Sequence, residues 1–385
     1  MICPRPNIPF VAKVVGRIGT VVAILGFSAA CLSAAESIRI GAYSSLTGKE
    51  ATWGQAFEKG TRLAVDEINT AGGVLNRPLE LLLEDNQSKP GDSATVVRKL
   101  ISRDKVVAVL GEVSSGRSLE AAPICQSAGV PMISCGSNPK VTQVGVWIFR
   151  AHFIDPFQGT VMARFARERC NAKRVALLTE VTNAYSVGLA KYFADDARAH
   201  GGTVAIEQKY SAGERDFKAQ LTAIKAANPD VLFVPGYYTE AGLIVAQARQ
   251  LGLTLPILGG DGWEAPQLAE LAGSALQNTY FCNNFSIETN NESTQRFITR
   301  FRQRFQEAPD GIAADAYDAV LMIADAIRRA GSTDKIKIRD SLANIRNLPG
   351  VGGLMTVDSN RDQLKPAYIL GYRDGAYHLA QTITP

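Results

Sequence analysis

Residues 38–73 read IRIGAYSSLTGKEATWGQAFEKGTRLAVDEINTAGG, and this stretch decides the fold class. Residues 38–43 form a short and mostly apolar run, as expected of a buried strand. Residues 54–70 place apolar side chains at helical spacing and end at Gly72-Gly73, a helix stop signal. Because strand–helix units of this kind build parallel sheets flanked by helices, the segment predicts an α/β protein.

The same alternation continues along the chain in two series. Residues 79–84, 106–110 and 130–134 predict three further strands, which gives the first sheet four strands. A second series starts after Arg150 with a helix over residues 156–169. Its predicted strands are residues 175–178, 204–208, 231–234, 256–258 and 280–282. Two sheets without a flexible linker predict two lobes with a ligand site in the cleft between them.

The alternation of strands and helices stops in about the last hundred residues. After residue 285 the sequence becomes helical, with two apolar stripes at i, i+4 spacing that are expected to pack in the core. Three short β runs then end the chain, at residues 354–357, 367–371 and 376–379. Asp358, Asn360 and Asp362 imitate the start of a calcium loop, but the required Gly and Glu are missing, so this stretch predicts a hairpin turn.

Composition excludes several classes of protein. The 385 residues suit two domains, and an apolar content of 46% is sufficient for sizeable cores. With 20% charged residues the chain fits neither a disordered protein nor a coiled coil. The net charge of +4 is small and evenly spread, which argues against nucleic-acid binding.

The N-terminus has the order of a secretion signal. Three basic residues precede an apolar run over residues 18–30, and the small residues Ser33-Ala34-Ala35 stand before Glu36. The run is shorter than the ~20 residues that a membrane-spanning helix needs. We therefore predict that residues 1–35 are a signal peptide and that the mature protein is periplasmic. Lipidation at Cys31 is the alternative to simple cleavage, and a buried first helix is a weaker one.

Cysteines and histidines offer no metal site by spacing. The four cysteines beyond the signal could pair in three ways, and we expect buried free thiols instead. These cysteines are Cys125, Cys135, Cys170 and Cys282. Only three histidines occur, and solvent or hinge positions are expected for them. They are His152, His200 and His378.

Residues 111–118, GEVSSGRS, have the spacing of a phosphate-binding loop but depart from it at Arg117, where the motif needs Lys. No G-x-S-x-G or G-x-G-x-x-G motif accompanies it. Neither an enzyme nor a cofactor is therefore expected. Small residues between a strand end and a helix start still expose backbone N–H groups, which suits a small anion such as a carboxylate.

Polar and aromatic residues follow the predicted strands, at the edge where α/β sheets bind ligands. Ser115 follows the third strand, and residues 135–138 follow the fourth. From the second series come Tyr185, residues 236–238 and residues 259–263, which include the acidic Asp261. Their shared position predicts one binding site.

At these residues the chain resembles a known family, the type I periplasmic solute-binding proteins of ABC importers, close to the leucine/isoleucine/valine-binding branch. The resemblance covers residues 38–375 and is carried by IG with LTG (40–48), NTAGGV (69–74), GEV with Ser115, FIDPFQG (153–159) and GYYTEAG (236–242). It implies two similar α/β lobes, each a mostly parallel sheet, joined by a three-strand hinge near Ala151, Phe285 and Gln363. Residues 36–152 with 285–362 would form lobe 1, and residues 153–284 with 363–385 lobe 2.

The resemblance also implies roles for individual residues. Ser115 and Ser137 would hold a ligand carboxylate, beside a carbonyl group of Cys135 or Gly136, and Asp261 would bind the α-ammonium group. Three aromatic residues would close over the ligand from the two lobes: Trp53, Tyr185 and Tyr237.

The function that follows is capture of an amino acid, branched-chain or otherwise small and apolar, by a monomer that closes on it. The partners implied are an ABC permease and its ATPase subunits. Two alternatives stay open: a secreted ligand-sensing module of the same fold, and a receptor for an amide or for an aromatic or aliphatic carboxylate.

Overall fold

The computed structural model describes residues 36–384, so the predicted signal peptide and Cys31 lie outside the described residues. The first part alternates strands and helices: β1 (Ile38–Ser44), α1 (Ala51–Thr70), β2 (Leu79–Asp85), α2 (Asp92–Ser102), β3 (Val109–Gly111), α3 (Ser115–Ala128), β4 (Met132–Ser134), α4 (Lys140–Gln143) and β5 (Ile148–Arg150). Its strands form a parallel sheet in the order β2-β1-β3-β4-β5.

The first sheet has five strands, so the prediction of four was wrong. Strand β5 pairs in parallel with β4, with Ile148 opposite Met132 and Arg150 opposite Ser134. The apolar run within this strand is only Ile148-Phe149, because the third residue is the charged Arg150, so the pattern did not mark it. Strand β3 is also shorter than the predicted residues 106–110 and begins at Val109.

All five strands predicted for the second series are present. The elements are α5 (Asp155–Arg169), β6 (Arg174–Glu180), α6 (Ala184–Ala199), β7 (Thr203–Tyr210), α7 (Lys218–Ala226), β8 (Val231–Phe233), α8 (Tyr238–Gln250), β9 (Ile257–Gly259), α9 (Pro266–Ala272) and β10 (Thr279–Asn283). The chain continues with α10 (Glu292–Phe305), α11 (Gly311–Ala330), α12 (Lys335–Ala343), β11 (Leu348–Gly350), β12 (Gly353–Met355), β13 (Ala367–Arg373) and β14 (Ala376–Ile383).

The second sheet has seven strands in the order β14-β13-β10-β9-β8-β6-β7. Strands β13 and β14 add to it antiparallel, as a hairpin turning at Asp374 and Gly375. Both turn residues have positive φ, 51° and 85°, as a tight two-residue hairpin requires. The other predicted terminal run lies apart, because β12 pairs only with β11 in a small two-stranded sheet.

Helices α10 to α12 return to the first sheet, where α11 packs against α1. A Cβ atom on Gly60 of α1 would lie 2.1 Å from the carbonyl oxygen of Ala313, so glycine permits this close approach. The apolar stripes predicted in this region are largely buried, and the rings of Phe297 and Tyr317 lie 5.1 Å apart. We call β1–β5, α1–α4 and α10–α12 the first-sheet half, and the second sheet with α5–α9 the second-sheet half.

The chain connects the two halves three times: after β5, after β10 and before β13. The predicted lobe boundaries within these connections stay predictions. The last connection contains the predicted turn, in which the N–H groups of Asn360 and Asp362 donate to the Asp358 carboxylate at 2.8 and 2.9 Å.

Cys125, Cys135, Cys170 and Cys282 are all free thiols, as expected. Three of them are buried, but Cys170 is only partly buried, contrary to the expectation. None of the helices within residues 36–384 is long and apolar enough to cross a membrane. Over the same residues, no group of three or more His, Cys, Asp or Glu side chains could hold a metal ion.

Candidate functional site

The first-sheet side of the predicted site is the turn between β3 and α3. Ser115 is the first residue of α3 and is buried. Its Oγ accepts a hydrogen bond from the backbone N–H of Asn138 at 3.2 Å, which ties the loop after β4 to the start of the helix. Because the first N–H groups of a helix have no partners within it, this turn presents donors to an anion.

The loop after β4 lies directly against this turn. A Cβ atom on Gly136 would lie 3.1 Å from the Cα atom of Ser115, so glycine allows the contact. Ser137 is buried, and its carbonyl oxygen accepts the N–H of Asp155 at 3.0 Å. Cys135 is buried in the core, and burial raises the pKa of its thiol. The structure therefore brings the four predicted residues of this side together.

Arg117 does not offer a free charge to an anion. Its guanidinium group forms an ion pair with the Glu50 carboxylate, and the two side chains are only 9% and 4% exposed. Nearby, burial raises the pKa of Glu112 to about 8, and its carboxyl group accepts a hydrogen bond from Ser45 Oγ at 3.3 Å. Backbone donors rather than an unpaired cation thus characterise this side, which suits a small anion such as a carboxylate.

The three predicted aromatic residues form one contiguous group that bridges the halves. The rings of Trp53 and Tyr237 lie 4.6 Å apart in a T-shaped arrangement, and those of Tyr185 and Tyr237 stack at 5.4 Å. Trp53 Nε1 donates to the carbonyl oxygen of Glu264 at 2.8 Å. The hydroxyl groups of Tyr237 and Ser114 lie 3.2 Å apart. The first-sheet and second-sheet halves are therefore in direct contact through this aromatic group.

Asp261 follows β9 and is held by a reciprocal pair of hydrogen bonds. Its N–H donates to Gln158 Oε1 at 2.8 Å, and Gln158 Nε2 donates to Asp261 Oδ1 at 2.8 Å. The neighbouring Gly262 N–H donates to the Tyr185 hydroxyl at 3.2 Å, which places Asp261 beside the aromatic group. All predicted site residues thus lie in one region of the protein.

His152 also contacts Asp261, and sequence reasoning assigned it no role in the site. It follows β5 in the first connection and is buried, whereas the side chains of His200 and His378 are partly exposed. Its Nε2 lies 2.9 Å from Asp261 Oδ2, and its Nδ1 lies 2.6 Å from Asp315 Oδ2. Burial disfavours the charged imidazole, but the two carboxylates outweigh it and raise the pKa of His152 to about 9.

Asp315 on α11 extends these contacts to all three connections between the halves. Besides His152, it accepts hydrogen bonds from Lys365 Nζ and from Asn284 Nδ2, both at 2.6 Å. Lys365 precedes β13 and also contacts Asp318 at 3.0 Å, while Asn284 follows β10. One buried carboxylate therefore binds a side chain from each connection. We call Asp261, His152, Asp315, Asp318 and Lys365 the connection cluster.

Asp155 is a second residue that sequence reasoning did not assign to the site. It lies in the first turn of α5, is fully buried, and neither carboxylate oxygen has a hydrogen-bond partner. Burial raises the pKa of Asp155 to about 7, and the charge of Asp261 acts in the same direction. Its position after a connection, within the FIDPFQG segment, was the available signal.

The comparisons with known proteins agree with this architecture. The sequence profile of a family described as "Periplasmic binding protein" matches residues 37–375. A curated relative from Pseudomonas aeruginosa, the leucine-, isoleucine-, valine-, threonine- and alanine-binding protein, is 31% identical over 329 residues, which cover 85% of this chain and 87% of the relative.

Two solved structures have the same fold. The leucine-binding protein LivK from Thermotoga maritima superposes with a TM-score of 0.87 at 35% identity and covers 90% of this chain and 99% of its own. The substrate-binding protein LivJ from Streptococcus pneumoniae, solved with isoleucine, gives 0.86 at 34% identity over 91% and 100%. Binding proteins of this kind are solute receptors and not enzymes. The chain therefore belongs to the type I periplasmic binding proteins, in the branched-chain amino acid branch of that family.

Proposed function

We propose that this protein captures an α-amino acid between its two halves and delivers it to the permease of an ABC importer. The observation that carries the proposal is that one side of the site suits an anionic group and the other suits a cationic group. Backbone donors and Ser115 lie at the start of α3, and the Asp261 carboxylate lies on the second-sheet half beside Tyr185. An amino acid zwitterion has one carboxylate and one ammonium group, so it matches both sides at once.

The aromatic group supports an apolar ligand side chain. Trp53, Tyr185 and Tyr237 are almost completely buried and bring ring surface from both halves to the site. The relatives described above bind leucine, isoleucine, valine, threonine and alanine by their names, which are small or branched side chains. We therefore propose a branched-chain or other small apolar amino acid as the ligand.

One observation favours a second candidate, a carboxylate ligand without an ammonium group. Asp261 Oδ2 already has His152 as a partner and Oδ1 already has Gln158. A carboxylate such as 4-methylpentanoate, the des-amino analogue of leucine, would leave both contacts in place and use only the first-sheet side.

Thermal unfolding with a panel of ligands tests the proposal. The panel contains the α-amino acids together with leucinamide and 4-methylpentanoate, which each lack one of the two charges. A ligand at 100 times its dissociation constant adds about 2.7 kcal/mol to the free energy of unfolding. We expect L-leucine or a similar amino acid to stabilise the protein most. If 4-methylpentanoate binds more tightly than L-leucine, the amino acid proposal is wrong and the second candidate, a carboxylate ligand, takes its place.

Export is tested on the protein recovered from cells. N-terminal sequencing of the periplasmic fraction should begin at Glu36, as the predicted signal peptide requires. A lipid-modified start at Cys31 would favour anchoring, and an intact Met1 would contradict both. Uptake of the radiolabelled ligand should fall when the gene is deleted, whereas a sensing module of the same fold would leave uptake unchanged.

A further inference from the structure

His152 occupies a place that the ligand's ammonium group also needs. The imidazole Nε2 lies 2.9 Å from Asp261 Oδ2, the carboxylate proposed to bind that ammonium group. On its other side, Nδ1 lies 2.6 Å from Asp315 Oδ2. A neutral imidazole has one donor and one acceptor nitrogen, whereas the imidazolium ion donates from both. Two carboxylate partners, one at each ring nitrogen, therefore select the charged form of His152.

The charged groups around His152 come from several different elements. Asp261 approaches from the turn after β9, and Asp315 approaches from α11. Asp155 on α5 is also near, and the charge of His152 acts to lower the pKa of Asp155, against the effect of burial. Behind Asp315, Lys365 shares its charge between Asp315 and Asp318. His152 is thus the cation that directly balances Asp261. Its side chain is only 4% exposed, so water screens this interaction little.

Building on the proposed function, we propose that His152 is an internal counter-ion that competes with the ligand's ammonium group for Asp261. Binding of an α-amino acid therefore displaces one proton from the imidazole to the buffer. His152 is the residue that decides how strongly the site distinguishes an amino acid from a carboxylate without an amine.

Charge balance explains the displacement. An ammonium group beside Asp261 would place a second positive charge next to the imidazolium in a buried site, where like charges repel strongly. The ligand's carboxylate lies on the first-sheet side and cannot offset this repulsion directly. When His152 loses the proton from Nε2, the charge beside Asp261 returns to its value before binding. The neutral ring keeps its Nδ1–H bond to Asp315, and the ammonium group replaces Nε2–H as the donor to Asp261. A carboxylate ligand brings no such charge and leaves the proton in place.

Proton counting on the unmodified protein is the first test. L-leucine is titrated by calorimetry at pH 7 in two buffers that differ in ionisation enthalpy, and the difference in heat gives the number of protons released. We expect close to one proton per L-leucine and none per 4-methylpentanoate. The dissociation constant for L-leucine should also fall between pH 6 and pH 8, by up to tenfold per pH unit.

Two variants identify the source of the proton. In His152→Gln the side chain stays polar but cannot titrate, so release should disappear and the affinity for L-leucine should lose its dependence on pH. That variant should also bind L-leucine more tightly relative to 4-methylpentanoate. Asp155→Asn is the matched control, because Asp155 is buried nearby and is the other group that could release a proton at neutral pH. There release should persist.

The outcomes separate this inference from the proposed function. Binding of L-leucine without proton release would overturn the role of His152 and leave the amino acid receptor intact. Release that disappears in Asp155→Asn and persists in His152→Gln would also overturn it. If none of the α-amino acids in the panel produces binding heat, both proposals are wrong.

Discussion

The two sides of the site recognise charge by different physical means. On the first-sheet side, Arg117 and Glu50 neutralise each other, and the donors left for a ligand are backbone N–H groups and the hydroxyl of Ser115. On the other side, full charges of Asp261 and His152 face each other in a buried setting. Backbone dipoles carry no net charge and do not titrate. Buried ionisable side chains carry a net charge and change it with pH.

The two sides of the site also differ in how much they contribute to the stability of the fold. Ser115 contacts one loop of its own half through Asn138. The connection cluster, by contrast, includes Asp315, which binds His152, Asn284 and Lys365 from the three connections. Changes on the first-sheet side should therefore alter affinity alone, and changes in the connection cluster should alter affinity, stability and pH dependence together.

The largest effect is expected from Asp315→Asn. Breaking a buried ion pair from one side typically costs about 3–5 kcal/mol, and this substitution removes the partner of two cations. Urea denaturation measures the loss. The control is Asp325→Asn on the same helix, where a partly exposed pair with Arg329 at 3.1 Å should contribute less than about 1 kcal/mol. Equal losses for the two variants would contradict the role given to the connection cluster.

The same substitution has a pH dependence of known sign. Burial alone would raise the pKa of Asp315, but the positive charges of Lys365 and His152 outweigh it and hold that pKa below its ordinary value. The stability that Asp315 contributes is present at pH values above about 3.9, its ordinary pKa. It is lost as the pH falls through the lowered value, so the parent and Asp315→Asn should converge in strong acid.

The next effect is on ligand affinity. Asp261→Asn keeps the shape of the side chain but removes the charge, so affinity for L-leucine should fall by roughly a hundredfold to a thousandfold or more, an expected loss of about 3–5 kcal/mol. Calorimetry measures it, with Asp195→Asn as an exposed control. If Asp261→Asn binds L-leucine as tightly as the parent, the ammonium partner lies elsewhere.

Alkaline pH should reduce the contribution of His152 to stability. Its pKa of about 9 in the folded protein lies above the ordinary value of about 6.5, so the stabilisation is complete below pH 6.5. It decreases as the pH rises toward 9. The difference in unfolding free energy between the parent and His152→Gln should therefore shrink over this range, by up to roughly 3 kcal/mol. The exposed His200→Gln should show no such trend; a constant difference for His152→Gln would mean that its imidazole is neutral.

The smallest effect is expected on the first-sheet side. Ser115→Ala removes a hydroxyl group but leaves the backbone N–H groups at the start of α3, so affinity should fall by about 1–3 kcal/mol. The loss should depend little on pH between pH 6 and pH 8, because the Ser115 hydroxyl and the backbone N–H groups do not titrate in this range. Ser211→Ala at an exposed position is the control. A loss of affinity that varies strongly with pH would contradict the proposed difference between the two sides of the site.

The sequence predicted those parts that depend on local pattern. Four strands of the second series, β6, β8, β9 and β10, are largely buried and carry apolar runs that could be read directly. The fifth, β7, is a more exposed edge strand, and its apolar residues 204–206 were sufficient to mark it. Strand β5 could not be predicted, because the charged Arg150 interrupts its short apolar run and only pairing with β4 defines the strand. The site region followed from the strand ends, since parallel strands bring their carboxyl ends to one edge.

His152 was missed because its partners are distant in the chain. Asp261 lies 109 residues away and Asp315 lies 163 residues away, so no spacing motif links them. Lys365 and Asp315 are 50 residues apart and present the same difficulty. Isolated charged residues in turns and on helices read as solvated positions until the fold brings them together. The one local signal was a histidine immediately beyond a short apolar run, in a chain with only three histidines.

Trp53 is an intrinsic fluorescence probe for separation of the two halves. Its indole belongs to α1 of the first-sheet half, but its N–H bonds to Glu264 and its ring packs on Tyr237, both from the second-sheet half. The chain has two other tryptophans. The Trp263 indole bonds within its own half, to Val234, and Trp147 lies beside Arg339 in the first. Separation of the halves would place only the Trp53 indole in water, so its emission would shift to longer wavelength and become accessible to iodide quenching.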